Sequence, residues 1–425
     1  MKQVVVIGAG AAGLMAACAA AENGHTVTIL EQNEKAGKKI YITGKGRCNF
    51  TNTCDLPVFF DHVVTNPRFL YSALYAFDQQ DAMRFFEDHG CPVKVERGDR
   101  AFPVSDHASD ITATFLRVLK QYGVKILYHT KVTKILTEDT PERRITGVEY
   151  LSQNGKKETL SADAVILCTG GASYPSTGAD GSGYRFGEAL GLKVQEGKPS
   201  LVPLVTGEAW TKKLQGLALK NVTFTVFAPD HKPGKRKKVF SEFGEMLFTH
   251  FGVSGPIVLS ASCHLDFDNK EVYPAEIDLK PALDHETLLN RLLRECESAP
   301  DKHLASILRK LAPSSLAEEI AALYFEMHPD KREKPVRTFV KKEREDLTTL
   351  LKHLPLTITG SRGFGEAIIT RGGIDVRQIN PSTMEVKTIR GLYIAGELLD
   401  VDAYTGGFNL QIAWSTGHLA GTSVS

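Results

Sequence analysis

Residues 3–31 read QVVVIGAGAAGLMAACAAAENGHTVTILE, and the internal order of this stretch decides the fold. Val4-Val5-Val6-Ile7 is a β-branched run suited to a buried strand. Gly8-Ala9-Gly10-Ala11-Ala12-Gly13 follows as GxGxxG, Ala12 to Asn23 reads as a helix, and Thr26 to Leu30 reads as a second strand. The first glycine permits the tight turn, the second lets backbone approach a pyrophosphate, and the third lets helix and strand pack closely. The helix N-terminus then presents positive partial charge to the phosphates. Glu31 closes the second strand, where a carboxylate accepts hydrogen bonds from ribose hydroxyls. Strand, glycines, helix, strand and acid in this order predict a Rossmann-type dinucleotide site.

The same stretch invites a different reading. Val4 to Ala21 is an 18-residue run without a charged side chain, preceded by Lys2, which reaches the lower edge for a membrane span and begins like a secretory signal. Three glycines and little Leu, Ile or Phe make it a poor membrane helix. A secretory apolar core also has no need of the strand–turn–helix order. No other stretch approaches this length, so no membrane association is expected.

Composition bounds the rest. The 425 residues suggest two or three domains, and 42% hydrophobic against 24% charged residues argues for a packed core over disorder. Fifty-one basic against 50 acidic residues leave a net charge of +1, which removes any global attraction to nucleic acid or membranes. Seven cysteines, scattered and without a CxxC pair, suggest a reducing, cytoplasmic setting and give no zinc-ribbon or redox pair. The histidines lack ligand spacing, so no metal site is expected. Oligomeric state is not legible.

Organisation changes along the chain. The first third alternates strands and helices, and the character shifts near Lys198-Pro199. Strands and turns run to about Tyr273, helices from Asp284 to Leu354, and short strands with a final helix, Asn409 to Gly421, complete the chain. The expected architecture is α/β: a split Rossmann-like domain that binds the dinucleotide (1–197 and 355–425), an inserted β-rich domain (198–282) and an inserted helical domain (283–354).

FAD rather than NAD follows from the far end. Gly391-Leu392-Tyr393-Ile394-Ala395-Gly396-Glu397 reads as a short buried strand ending in glycine and an acid placed for ribityl hydroxyls. Gly406-Gly407-Phe408-Asn409-Leu410 opens the final helix, whose N–H groups suit negative charge on a reduced flavin. Between the ends, Gly37 to Asn52 (GKKIYITGKGRCNFTN) lacks Walker spacing. Its Gly44 and Gly46 suit a loop passing the cofactor, and Gly170 and Gly171 end another buried strand.

Together these motifs resemble the BaiN/RdsA-like family of FAD-dependent oxidoreductases, also known as aminoacetone-oxidase-like flavoproteins. The likeness covers essentially the whole chain. It rests on GAGAAGLM (8–15), GKGRCNFTN (44–52), AFPVSDHASD (101–110), CTGGASYPSTGADGSGY (168–184), PSLVPL (199–204), GEMLFTHFGVSGP (244–256) and GLYIAGELLDVDAYTGGFNLQIAWSTGHLAG (391–421). More distantly the ends resemble fumarate-reductase-like folds, in which inserted domains split the FAD domain. The resemblance implies cofactor contacts from Gly8, Gly10, Ala11, Ala12, Gly13, Glu31, Gln32, Gly44, Gly46, Arg47, Asn49, Gly170, Gly171, Gly396, Glu397, Gly407, Phe408, Asn409 and Leu410, with adenine on the Val132 backbone.

It also implies reduction of a C=C bond conjugated to a carbonyl, with hydride from flavin N5 and NAD(P)H docking transiently as reductant. No second GxGxxG offers NAD(P)H a domain of its own. Three residues are candidates for donating the proton: Cys48 in the turn after Arg47, Tyr404 beside the Gly406-Gly407 turn, and His250 in the inserted region. The alternatives are a ribosomal RNA dihydrouridine synthase, a small-amine oxidase, or a flavoprotein that binds without turnover. RNA binding would draw on two basic clusters, Lys232, Lys235, Arg236, Lys237 and Lys238, and the seven basic residues from Lys331 to Arg344.

Overall fold

A computed structural model describes residues 1–139, 142–229, 237–268 and 270–425. The opening stretch forms β1 (Gln3–Ile7), α1 (Ala11–Glu22) and β2 (Thr26–Leu30). They sit in a five-stranded parallel sheet ordered Leu392–Ile394, Ala164–Leu167, β1, β2, Lys125–Leu127. Val6 faces Ile166 on one side and Ile29 on the other, so β1 is the buried centre its apolar run demanded. The strand that completes the sheet comes from the last forty residues, which ties both ends of the chain into one layer.

Residues 1–200 and 363–425 make one compact unit, and residues 201–362 make the other. The second unit contains a closed six-stranded antiparallel barrel, in which Leu354–Ser361 pairs with Tyr273–Asp278 and with Leu204–Thr206. The helices His285–Ser298, Ser314–Met327 and Lys341–Lys352 belong to the same unit. Among the described residues no helix is long and apolar enough to cross a membrane.

In the first unit the C-terminal helix (Phe408–Thr422) packs against α1. The contact is backbone-close because it is made of small residues: a side chain at Gly417 would collide with the Ala12 carbonyl oxygen, and one at Gly421 with that of Ala16. Both helices are buried nearly all round, as their uniform apolarity requires. Trp414 fixes the helix further by donating from Nε1 to the Phe50 carbonyl at 2.9 Å. The expected helical stretch from Asn66 to His89 is divided. A 3-10 turn (Pro67–Leu70) and Tyr71–Ala76 precede Gln79–Asp88, which Asp78 caps by accepting the N–H groups of Gln80 and Asp81.

Candidate flavin site

The site begins at the turn between β1 and α1. Gly8 has φ of 99°, and a Cβ there would lie 2.6 Å from the Cys168 carbonyl oxygen, so only glycine fits. A Cβ on Gly13 would collide with the Gly8 carbonyl. Gly10 is different in kind: a Cβ there meets nothing within 4 Å, and none would at Gly170. Gly10 is also the N-cap of α1, with no side-chain cap and no acid in the first turn. The helix therefore presents uncapped N–H groups, including those of Ala11 and Ala12, into open space, as an anion cradle would. Asn49 Oδ1 and Thr169 Oγ1 are buried without a partner among the described residues, two acceptors or donors waiting for a ligand group. This donor set fits the diphosphate and sugars of FAD.

Glu31 stands at the end of β2, but its carboxylate is mostly occupied. Oε2 accepts from the Ala9 N–H at 2.7 Å, and Oε1 accepts from the backbone and side-chain N–H groups of Asn33 at 2.8 and 2.7 Å. One lone pair on Oε2 is left for a sugar hydroxyl. Gln32 donates to the Gly178 carbonyl at 2.6 Å, so its amide fastens a loop. Val132 lies in the strand Lys131–Glu138, paired opposite Tyr150.

The loop after β2 brings both expected and unexpected groups. Gly44 is exposed, and Gly46 is half-buried. Arg47, expected on the cofactor, is instead engaged by Glu96 and by Asp106, with its guanidinium 4.2 Å from the Phe102 ring centre. Cys48 has no exposed surface, and burial pushes its thiol up to about 12, partly opposed by a hydrogen bond with Thr43. The Cys48 thiol is thus shut away from the surface, and as a candidate proton donor it gives way to Tyr404 in the reading proposed below. Cys48→Ala should keep flavin and turnover while costing about 1 kcal/mol of stability. Iodoacetamide should leave Cys48 unlabelled in the folded chain at neutral pH, which peptide mass mapping checks.

At the far end, Gly396 packs so that a Cβ would lie 2.7 Å from the Ala12 Cβ, and its N–H donates to Thr416 at 3.0 Å. Glu397 next to it gathers three segments. Its Oε1 accepts from Ser173 and from the Thr370 N–H, both at 2.9 Å, and its Oε2 accepts from Lys39 at 2.7 Å. A Cβ on Gly171 would press on Thr370 and lie 3.0 Å from Glu397 Oε1, so this glycine serves the cluster's packing. Lys39, Ser173 and Thr370 were not among the residues singled out from sequence. Ion-pair partners 358 residues apart leave no spacing signal.

The final helix opens at Gly407, whose φ of 101° and close approach to the Thr51 backbone exclude a side chain. It carries no side-chain cap and no acid in its first turn, so N–H groups around Phe408 to Leu410 face its open end. Asn409, expected at the cofactor, buckles the preceding turn: it accepts from the Ala403 N–H at 3.0 Å and donates to the carbonyls of Ala403 and Tyr404. Tyr404 is half-buried, and its N–H donates to the His62 carbonyl at 2.9 Å. His62 stacks on Phe408 at 4.4 Å and meets Tyr404 edge-on at 6.0 Å, a contact sequence reasoning missed. His250 is exposed on the second unit, edge-on to Phe251.

Comparisons with known proteins bear on the family and the fold. The model of the HI0933-like protein Rossmann domain matches residues 2–423. A ribosomal RNA dihydrouridine synthase from Haemophilus influenzae is 32% identical, covering 99% of this chain and 98% of that protein. A 3-dehydro-bile acid delta(4,6)-reductase from Clostridium scindens is 30% identical, covering 100% and 99%. Among solved structures, a 3-ketosteroid-delta4-(5alpha)-dehydrogenase from Rhodococcus jostii shares the fold, with a TM-score of 0.50 at 15% identity over 99% of this chain and 96% of that one. The chain belongs to the HI0933-like Rossmann family, a family of FAD-dependent oxidoreductases.

Proposed function

We propose that this protein reduces a C=C bond conjugated to a carbonyl group, with FAD as hydride carrier and NAD(P)H as the reductant. The observation that carries this reading is the 404–407 turn, where half-buried Tyr404 precedes the uncapped start of the C-terminal helix and its ring meets His62, which stacks on Phe408 in that helix's first turn. Bound FAD would supply hydride to the electron-poor β-carbon of such an acceptor. The chain has two remaining tasks. Tyr404 donates the proton that the α-carbon needs, from a backbone pinned by His62 on one side and Asn409 on the other. The helix N-terminus stabilises the negative charge that accumulates when electrons arrive.

The relatives support the same bond chemistry, since a reductase of 3-dehydro-bile acids and a dihydrouridine synthase both have such acceptors available. The structure bears on which substrate class this chain takes. In the 331–344 run, Lys331 pairs with Glu343 at 2.8 Å, Lys342 with Asp346 at 2.9 Å, Lys334 with Asp330 at 3.3 Å, and Arg337 with Asp301. Charge compensated in this way offers a phosphate backbone little. Lys232, Lys235 and Arg236 of the other cluster lie outside the described residues. The reading therefore favours a small-molecule enone over ribosomal RNA.

Anaerobic mixing with NADH and with NADPH tests the reductant: one of them should bleach the flavin, and bleaching by neither counts against it. Dihydrouridine mapping of ribosomal RNA from a deletion strain tests the substrate class. Loss of a dihydrouridine in that strain would reverse the preference for a small molecule.

A further inference from the structure

The Glu397 cluster assigns a cofactor-binding role to a residue that neither motif nor spacing singled out. We infer that the Lys39 ammonium contacts the FAD diphosphate, and that Glu397 and Ser173 orient it there; this rests on the flavin reading above. Three observations carry the inference. Lys39 Nζ donates to Glu397 Oε2 at 2.7 Å and to Ser173 Oγ at 2.9 Å, while Ser173 in turn donates to Glu397 Oε1 at 2.9 Å. The three side chains close a ring that leaves the ammonium one N–H with no acceptor among the described residues. The Lys39 side chain is still 24% exposed, so that N–H has somewhere to point.

The ring's position names the ligand chemistry. Gly37, two residues before the lysine, donates its N–H to the Ala9 carbonyl at 2.8 Å, within the glycine turn. Gly396, adjacent to Glu397, packs on Ala12 in the first turn of α1. Both anchors set the cation beside the uncapped helix start, which already favours an anion. The acid's role changes accordingly. With Oε1 holding Ser173 and Thr370, and Oε2 holding Lys39, Glu397 has one lone pair for a ribityl hydroxyl and acts chiefly by keeping the lysine charged and aimed. A lysine held this way acts as a point charge on phosphate rather than a shaped fork.

Titration of the full-length chain, stripped of flavin, with FAD and with ADP tests this. Lys39→Met should weaken both ligands by about ten- to a hundredfold, the worth of a charge-assisted contact, with an unchanged melting temperature for the stripped protein. Lys39→Arg should recover most of the affinity. The inference is overturned if Lys39→Met binds ADP as tightly as the wild type. It is equally overturned if affinity falls only together with the melting temperature, which would make the lysine a structural fastener. A wild-type chain that binds no FAD would instead defeat the flavin reading itself, so the two failures are distinguishable.

Discussion

Gly10→Val should yield a chain that folds and melts close to the wild type yet purifies without flavin. The geometry separates the two properties at this position. Gly10 has φ of −82° and ψ of −170°, an extended conformation open to valine, and a Cβ there meets no protein atom within 4 Å. Replacing an N-cap glycine by valine costs the helix about 1 kcal/mol. The added methyls instead fill the space in front of the uncapped N–H groups of α1, where the cofactor's diphosphate has to come close. Affinity for FAD should fall by about a hundredfold or more, since several charge-assisted hydrogen bonds are lost together. Gly13→Val is the contrast: its Cβ would collide with the Gly8 carbonyl, so fold and flavin should be lost together. The flavin-to-protein absorbance ratio after purification, read beside the melting curve, checks both variants.

Tyr404→Phe should retain flavin at full occupancy and lose turnover by about a hundredfold or more, the usual contribution of a positioned general acid. The substitution removes one oxygen and keeps the backbone bonds and ring contact that hold the turn. These anchors are the Tyr404 N–H to the His62 carbonyl, its own carbonyl to Asn409, and the ring against His62. Reduction of the flavin by NAD(P)H should proceed at the wild-type rate, because no proton is delivered to substrate in that half-reaction. The loss should appear only when the reduced enzyme meets the acceptor. Rapid-mixing measurements of the two halves separate these outcomes. An equal loss in both would make Tyr404 a packing aromatic.

Much of this is legible in the sequence. β1 and β2 fall on the residues their β-branched runs indicated, and the glycine turn, α1 and the final helix differ by a residue or so at their ends. Such elements are set by local pattern, a buried central strand and two helices too apolar to be anything but interior. What sequence could not supply was how polar side chains divide their hydrogen bonds. Glu31, Gln32, Arg47, Asn409 and Glu397 all carry the right chemistry for a cofactor, yet each is partly or wholly engaged by protein groups, several more than fifty residues distant. The family resemblance puts Asn409 at the cofactor, and its side-chain amide also closes the turn that carries Tyr404. Cys48 illustrates a second limit, the direction in which a side chain faces. Its neighbours in sequence are polar, but its left-handed backbone, with φ of 58°, turns the thiol into the interior.

The most direct test of the account is a single turnover without any pyridine nucleotide. The holoenzyme is photoreduced under anaerobic conditions and mixed with a panel of α,β-unsaturated carbonyl compounds that includes a steroid enone and a uracil nucleoside. At least one acceptor should restore the oxidised flavin spectrum and yield its product, saturated at the former C=C bond, in equal amount. A flavin that stays reduced with every acceptor, and reoxidises only when oxygen is admitted, would contradict it.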